Sequence, residues 1–415
     1  MEETQLPQSL VPTKMNLVTK DRRLRFLVSS NAPWTNSGYA VEARDLMRRF
    51  IKDGWPCGLI GFSGHEGSPI SFEGYPVYGK MNEPFGTDAM YFHGKHFQAQ
   101  VIIPFLDAWT LNPQFLQMIN NEGGKIVFYV PIDQDPVPQN VITNLRFGYK
   151  IITFSKFGQK TLQREGFTST LIVEGTDTEI MKPSDKMEYR KIFGISPQTF
   201  VIGMVGANKE NPPRKGWQQA LEAFKLFHDK HPDSIFWFEC NQEAPGGFPI
   251  RQFAQHLGIE KQLRSLDTYM SVFHADSLVM AKLYSMFDIL THASLTEGFG
   301  LCIVEAQACG TPVVVNDYTS MPELVVPGKT GLICKKDTGW FNNSLSWHYP
   351  PQVQSLYECY EELFASNLVQ MGMNARKHIV ENYNIDTLYK EKWNPLLCEL
   401  QDEILGKVDT NPVKT

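Results

Sequence analysis

Two glutamates, Glu297 and Glu305, stand eight positions apart in the stretch "LTEGFGLCIVEAQACGTPVVV", with a Gly-Phe-Gly turn between them. Gly298 and Gly300 let the backbone come close to a ligand, and the first N–H groups of the helix that follows have no partner inside it. Such a helix start favours an anion, and phosphate fits it best. The flanking carboxylates can accept hydrogen bonds from hydroxyl groups, each worth about 1.5–3 kcal/mol when the acceptor is charged. An anion held between two hydroxyl-binding acids describes a nucleotide sugar. The plainer alternative is an ordinary glycine-rich turn followed by a solvated helix face. Against it stand Ile303, Val304, Ala306 and Ala308, which imply that most of the helix is buried, and buried acids need partners.

The elements around this motif must hold it at the end of a sheet. "DILTHAS" reads as a strand, "LTEGFG" as the loop after it, and "LCIVEAQAC" as a helix of about nine residues stopped by Gly310 at C′ and Pro312 beyond. Glu305 then falls in the second turn, on a side that can face a cleft. Continuous apolar runs alternate with helical patterns twice along the chain. The first series includes "RFLVSS", "YAVEARDLMRRFIKDG", "AQVIIPF", "KIVFYVP" and "GYKIITFSKFGQKTLQREG". The second runs from "FVIGMVG" through "WQQALEAFKLFHDKH", "SIFWFEC", "FPIRQFAQHLG" and "LVMAKLYSMF" to the acidic motif and "PVVV". Strands without polar alternation belong to parallel sheets covered on both faces. The fold class is therefore α/β, with two Rossmann-like doubly wound domains. Ligands bind at the carboxyl ends of such strands, which places the site in the cleft between the domains.

A chain of 415 residues is too long for one core. The expected boundaries are a disordered start over 1–20, a first domain over 21–180, a second over 181–375, helices over 376–402 packing back across the domains, and a disordered tail over 403–415. The join lies near "IVEGTDTEIMKPSDKMEYRKIFGISPQTF". With 42% hydrophobic and 20% charged residues and a formal net charge of -6, a generally nucleic-acid-coating surface is disfavoured, although a local basic patch is compatible with these values. The seven cysteines form no CxxC pair and several sit in apolar runs, so they read as buried free thiols of a reducing compartment. The N-terminus lacks a signal-peptide pattern, and no stretch approaches the ~18–20 apolar residues of a membrane span. The expected location is cytoplasmic.

The acidic stretch resembles the E-x7-E element of retaining glycosyltransferases with the GT-B fold, in particular family four. Glu297 and Glu305 match its two glutamates, and Gly310 to Val314 its "G-T-P-V-V". Further pieces of the same family are similar to "LYSMFDILTHASLTEGFGL", "MPELVVPGKTGLIC", "VEGTDTEIMKP" and "PPRKGWQQALEAF". The resemblance implies that Glu297 binds hydroxyls of the transferred sugar and Glu305 the ribose, while backbone amides of Phe299, Gly300 and Leu301 meet the sugar and distal phosphate. Lys215 would hold the diphosphate, with Arg214 beside it; opposite unit charges ~4 Å apart attract by about 4 kcal/mol at an effective dielectric near 20. Where the family usually has an arginine some six residues earlier, this chain offers Lys209 or Asn208. For Arg214 a surface position is an equal alternative.

"SSNAPWTNSGYAVEA" resembles the family's first glycine loop, which puts Gly38 under the diphosphate and opens the next helix with Tyr39 and Ala40. "VFYVPIDQDPVPQN" ends another strand of the first domain, where relatives place a histidine or acid near the reacting centre. Asp133 is the candidate, with Asp135 second. "DQD" also matches the metal-binding DxD of the other large glycosyltransferase fold, a reading rejected because the E-x7-E element points to a fold that typically needs no divalent ion. Arg44, Arg48, Arg49 and Lys52 read as a solvated helix face, with an anionic acceptor or a membrane surface as the alternative. His65, His93 and His96 read as loop histidines, which are more often neither ligands nor bases, with a place lining the acceptor side as the alternative.

Together these features predict a metal-independent retaining hexosyltransferase without a cofactor. Its donor is a UDP-, GDP- or similar nucleoside-diphosphate sugar. Its acceptor is a hydroxyl on a glycan, lipid, small metabolite or modified nucleic-acid base. No carboxylate pair is arranged as in a glycosidase. The rivals are a sugar phosphorylase on the same fold and a non-catalytic nucleotide-sugar-binding protein.

Overall fold

Apolar runs with no polar alternation become strands buried on both faces: "SIFWFE" (Ser234–Glu239) is buried at every position, and "KIVFYV" (Lys125–Val130) at all but its first. The computed structural model describes residues 23–273 and 275–406. The first sheet comprises β1 (Phe26–Asn31), β2 (Cys57–Glu66), β3 (Ile70–Phe72), β4 (Tyr75–Lys80), β5 (Val101–Pro104), β6 (Lys125–Val130), β7 (Lys150–Thr153) and β8 (Thr170–Leu171). Its order is β3-β4-β2-β1-β5-β6-β7-β8, parallel except where β3 pairs antiparallel with β4. The second sheet comprises β9 (Phe200–Val205), β10 (Ser234–Glu239), β11 (Leu263–Arg264), β12 (Ile289–His292), β13 (Val313–Asn316) and β14 (Gly331–Cys334), in the order β11-β10-β9-β12-β13-β14. This is the doubly wound 3-2-1-4-5-6 arrangement. A hairpin of β15 (Trp340–Phe341) and β16 (Trp347–His348) follows.

The C-terminal helices return to the first half, as the absence of a later strand pattern implied. Trp393 packs edge-on against Phe50 and Tyr129, with ring centroids 5.8 and 4.8 Å apart. Tyr389 donates to Asp53 at 2.7 Å, and Trp55 to Asn394 at 3.2 Å. Aromatic pairs of this kind contribute about 0.5–1.5 kcal/mol beyond their buried area.

Four details depart from the sequence reading. The helix Leu368–Asn382 runs through residue 375, so no break falls there, and the helix Asn394–Leu405 carries order beyond 402. The expected disordered start, and the tail from 407, lie outside the described residues. His65 lies on β2, and His93 and His96 on the helix Thr87–Phe97, not on loops; His93 stacks on Tyr78 at 4.7 Å and bonds the Gly79 carbonyl at 3.1 Å. The basic face of the Gly38–Lys52 helix is largely spoken for. Arg49 is buried and pairs with Asp386 and Asp177, Arg48 with Glu73, and Arg44 donates to Ser277 across the cleft at 2.9 Å. The seven cysteines are unpaired: Cys398 is exposed, Cys302 half-buried and the rest buried. Among the described residues no helix is long and apolar enough to cross a membrane.

Candidate functional site

The strand order of the first sheet reverses between β1 and β5, and that of the second between β9 and β12. Open parallel sheets bind ligands beyond the strand ends at such points. The loop after β1 opens the helix Gly38–Lys52, the loop after β5 carries Asp107, the loop after β9 carries Lys215, and the loop after β12 carries Glu297. The two helix starts face each other. A side-chain carbon built on Gly38 would lie 3.8 Å from Leu301 Cδ2. Among the described residues, the N–H groups of Gly298, Phe299 and Gly300 donate to no protein acceptor. Leu301 is the first residue of its helix (Leu301–Ala308), so its N–H has no acceptor there either. Gly300 caps that helix at a φ of 118°, where a side chain would be strained and would lie 2.8 Å from Ile303 Cδ1.

Glu297 is the hub of the second half. Its carboxylate accepts hydrogen bonds from Lys215 Nζ and, at 3.0 Å, from His292 Nε2; Arg214 Nη1 lies 3.7 Å away. Its N–H donates to Thr319 Oγ1 at 3.0 Å, and its carbonyl accepts from Ser320 Oγ at 2.8 Å. Burial alone would raise its pKa, but Lys215, His292 and Arg214 outweigh burial and hold it well below the usual carboxylate range. An ionised carboxylate only accepts, so His292 carries its proton on Nε2. The other ring nitrogen of His292 lies 3.2 Å from Cys302 Sγ. Burial opposes a charge on this imidazole, yet Cys302 and Glu297 at its two edges raise it to about 9.

The remaining expected residues divide. Arg214 is not a plain surface residue: it donates to the Thr296 carbonyl at 2.7 Å and stands 4.0 Å from Asp133 of the first half. Asp133 thus joins the cluster, whereas Asp135 turns away to Arg164 at 2.8 Å. Glu305 is buried and accepts from the Tyr284 hydroxyl at 2.8 Å. Burial, with Asp45 of the Gly38 helix adding to it, pushes Glu305 up to about 7. Asn208 is committed to structure, because its amide bonds both the N–H and the carbonyl of Phe248 at 2.8 and 2.9 Å. Lys209 is exposed. For Gly298 the close approach is made by protein: a side chain there would lie 2.3 Å from Pro131 Cβ, so this glycine lets the two halves touch.

Three participants escaped the sequence reading. His292 and Cys302 each sit in an apolar run that signals only a strand and a helix, although a histidine at a strand end five residues before Glu297 was a usable sign. Asp107 accepts from Tyr39 at 3.0 Å, and burial together with Asp133 pushes it up to about 6.

Residues 185–339 match the family model for glycosyl transferases group 1, a span that includes Lys215, Glu297 and Glu305. Sucrose-phosphate synthase from Thermosynechococcus elongatus superposes with a TM-score of 0.75 over 91% of this chain and 99% of its own, at 15% identity. The protein has the GT-B fold. A second GT-B neighbour, the Anabaena protein HepE in complex with UDP-glucose, has a TM-score of 0.70 over 92% of this chain and 100% of its own, at 17% identity. Among curated relatives, a D-inositol 3-phosphate glycosyltransferase of Corynebacterium glutamicum (strain R) is 32% identical over 171 residues, 40% of this chain and 39% of the relative. One from Corynebacterium jeikeium (strain K411) is 32% identical over 41% of each chain. This chain thus spans about two fifths of the length of the curated relatives it matches.

Proposed function

We propose that the protein is a retaining glycosyltransferase that moves a sugar from a nucleoside-diphosphate sugar to a hydroxyl acceptor without a divalent metal. The observation that carries this reading is the pair of helix starts, Gly38 and Leu301, facing across the cleft with Lys215 and Arg214 at their side. Such starts bind anions through free N–H groups and the helix dipole. In this reading Lys215 exchanges its contact with Glu297 for the diphosphate, and Glu297 turns its lone pairs to sugar hydroxyls while His292 holds it. Glu305 takes the ribose. The bond from the anomeric carbon to the diphosphate oxygen breaks, its electron pair staying with the phosphate. The acceptor oxygen bonds to that carbon from the same face and passes its proton to the leaving phosphate. Fixed cationic charge where negative charge develops lowers the barrier. Asp133 meets the sugar from the first half, and closure of the halves excludes water from the donor.

A donor with UDP is the first to test, since HepE was solved with UDP-glucose. The names of the curated relatives suggest an inositol phosphate as one acceptor for the same panel. Incubation with radiolabelled UDP- and GDP-sugars should release nucleotide and yield a glycoside whose anomeric configuration, read by NMR, equals that of the donor. Inversion would overturn the retaining mechanism. Binding without turnover across donors and acceptors would favour a sensor, and phosphate-dependent turnover without nucleotide a phosphorylase.

A further inference from the structure

The connection between the two sheets, residues 172 to 199, brings a further carboxyl group, that of Glu174, close to Glu297 and Glu305. Glu174 is 6% exposed, and its side chain has no hydrogen-bond partner among the described residues. Its backbone is pinned on both sides. The N–H of Gly175 donates to both oxygens of Glu42 at 3.3 and 3.2 Å, and that of Thr176 to the Tyr383 carbonyl at 2.9 Å. A side chain on Gly175 would meet Ile385 at 2.9 Å, which leaves the segment no room to shift. Next to it a fully buried group is unpaired: the hydroxyl of Tyr129, a residue 1% exposed, faces Glu42 and Glu174. Buried polar groups without partners are rare and call for a function or a ligand.

The charged groups that face Glu174 come from every wall of the cleft floor: Glu42 from the Gly38 helix, Glu297 from the loop after β12, Glu305 from the Leu301 helix and Lys215 from the loop after β9. Lys215 is already paired with Glu297. We infer that Glu174 is a specificity-determining residue that hydrogen-bonds a hydroxyl of the donor's sugar, and that the transferred sugar is uncharged. This rests on the nucleotide-sugar reading above and narrows it. A phosphate or a carboxylated sugar would bring a further negative charge beside the ionised Glu297, at a place lined by four acids, Glu174, Glu42, Glu297 and Glu305. A hydroxyl is both donor and acceptor and satisfies Glu174 in either protonation state. Burial, reinforced by Glu297 and Glu305, pushes Glu174 up to about 8, so at neutral pH its carboxyl is chiefly protonated and can donate to a sugar oxygen.

The test compares a nucleotide with its sugars. Dissociation constants for UDP, UDP-glucose, UDP-galactose, UDP-N-acetylglucosamine and UDP-glucuronate, and for GDP and GDP-mannose, are measured on the full chain and on Glu174→Ala and Glu174→Gln. The expected result has three parts. At least one neutral sugar tightens binding over its nucleotide in the wild-type chain, while UDP-glucuronate binds about tenfold or more weaker than that best neutral donor. Glu174→Ala removes the sugar's increment while leaving the bare nucleotide unchanged. Glu174→Gln, which keeps hydrogen-bonding capacity, retains most of it. An unchanged ratio of nucleotide to nucleotide-sugar affinity in Glu174→Ala overturns the inference and leaves the donor reading standing. Equal losses for both ligands mean a structural role and also overturn it. If Glu174→Ala does not fold, Glu174→Met, which keeps the volume and offers no hydrogen bond to the sugar, is read by the same criteria: loss of the sugar's increment with the nucleotide unchanged supports the assignment, and an unchanged ratio overturns it. A wild-type chain that binds no nucleotide of the panel removes the donor reading itself, and this inference with it.

Discussion

The two walls of the cleft are built on opposite plans. On the second-half wall the side chains around Glu297 form one connected chain of contacts: Cys302 to His292, His292 to Glu297, Glu297 to Lys215 and, more loosely, to Arg214. On the first-half wall the contacts are separate ones: Tyr39 donates to Asp107, Asp133 approaches Arg214 at 4.0 Å, and Asn36, Arg44 and Pro136 each bond the second half across the cleft. Exposed large rings occur on both halves, Trp34 and Trp109 on the first and Phe273 and Trp347 on the second. The family match covers only residues 185–339 and so falls on the wired wall. A wall that must stabilise charge as it develops gains from groups fixed in advance. In the proposed reading the wired wall binds the donor and the other wall meets the acceptor.

Breaking the wired wall should hurt most. Lys215→Ala is expected to lower kcat by about 10²–10³-fold, with a folded state confirmed by circular dichroism; turnover close to wild type would mean that Lys215 does not bear on the leaving group. Next comes the seam where the walls meet. Gly298→Ala puts a methyl 2.3 Å from Pro131 Cβ and should force the halves apart, for which a loss approaching 10²-fold fits the cost of a ~1 Å misplacement. Nucleotide affinity should survive in that variant, and calorimetry that found binding lost together with turnover would place the damage inside the second half. His292→Asn removes one hydrogen bond to a buried anion, worth about 1.5–3 kcal/mol, so kcat/KM should fall roughly ten- to a hundredfold. On the other wall, Asp133→Asn should lower kcat by about tenfold with nucleotide affinity unchanged; an effect as large as that of Lys215→Ala would undo the contrast between the walls.

A separate effect concerns stability. The folded pKa of Glu174 lies near 8, above that of an unfolded glutamate at ~4.3, so its contribution is complete below about pH 4 and is lost as pH rises through 8. Glu174→Gln cannot titrate. Thermal melts of the ligand-free chains should therefore show the wild type losing ground to Glu174→Gln between about pH 5 and 8, and parallel curves would mean that Glu174 is ionised at neutral pH.

Much of the second half was legible. The runs "FVIGMVG", "SIFWFEC" and "PVVV" became β9, β10 and β13, and the helix after Glu297 ended at Cys309 with Gly310 at a φ of 78°. These features depend on residues close in sequence, whose turn chemistry and periodicity are local. The first half was read less completely. "CGLIGF" and "YPVYGK" form β2 and β4, yet their glycines and proline mimic loop composition, and only pairing with β1 settles them as strands. Arg49 looked solvated because helical spacing names a face without naming what covers it; the covering residues, Asp177 and Asp386, come from remote segments.

The sequence by itself determined the two parallel sheets, the glycine-bounded helix start between the acids, and the types of residue able to hold a diphosphate and a sugar. The tertiary structure alone decided who touches whom. Lys215 and Glu297 are 82 positions apart and meet because their loops leave neighbouring central strands, β9 and β12. Glu174 faces the same acids because the chain crosses between the sheets beneath them. Local propensity acts over a few residues, whereas charge pairing and the burial that tunes it depend on distances that only the packed chain sets.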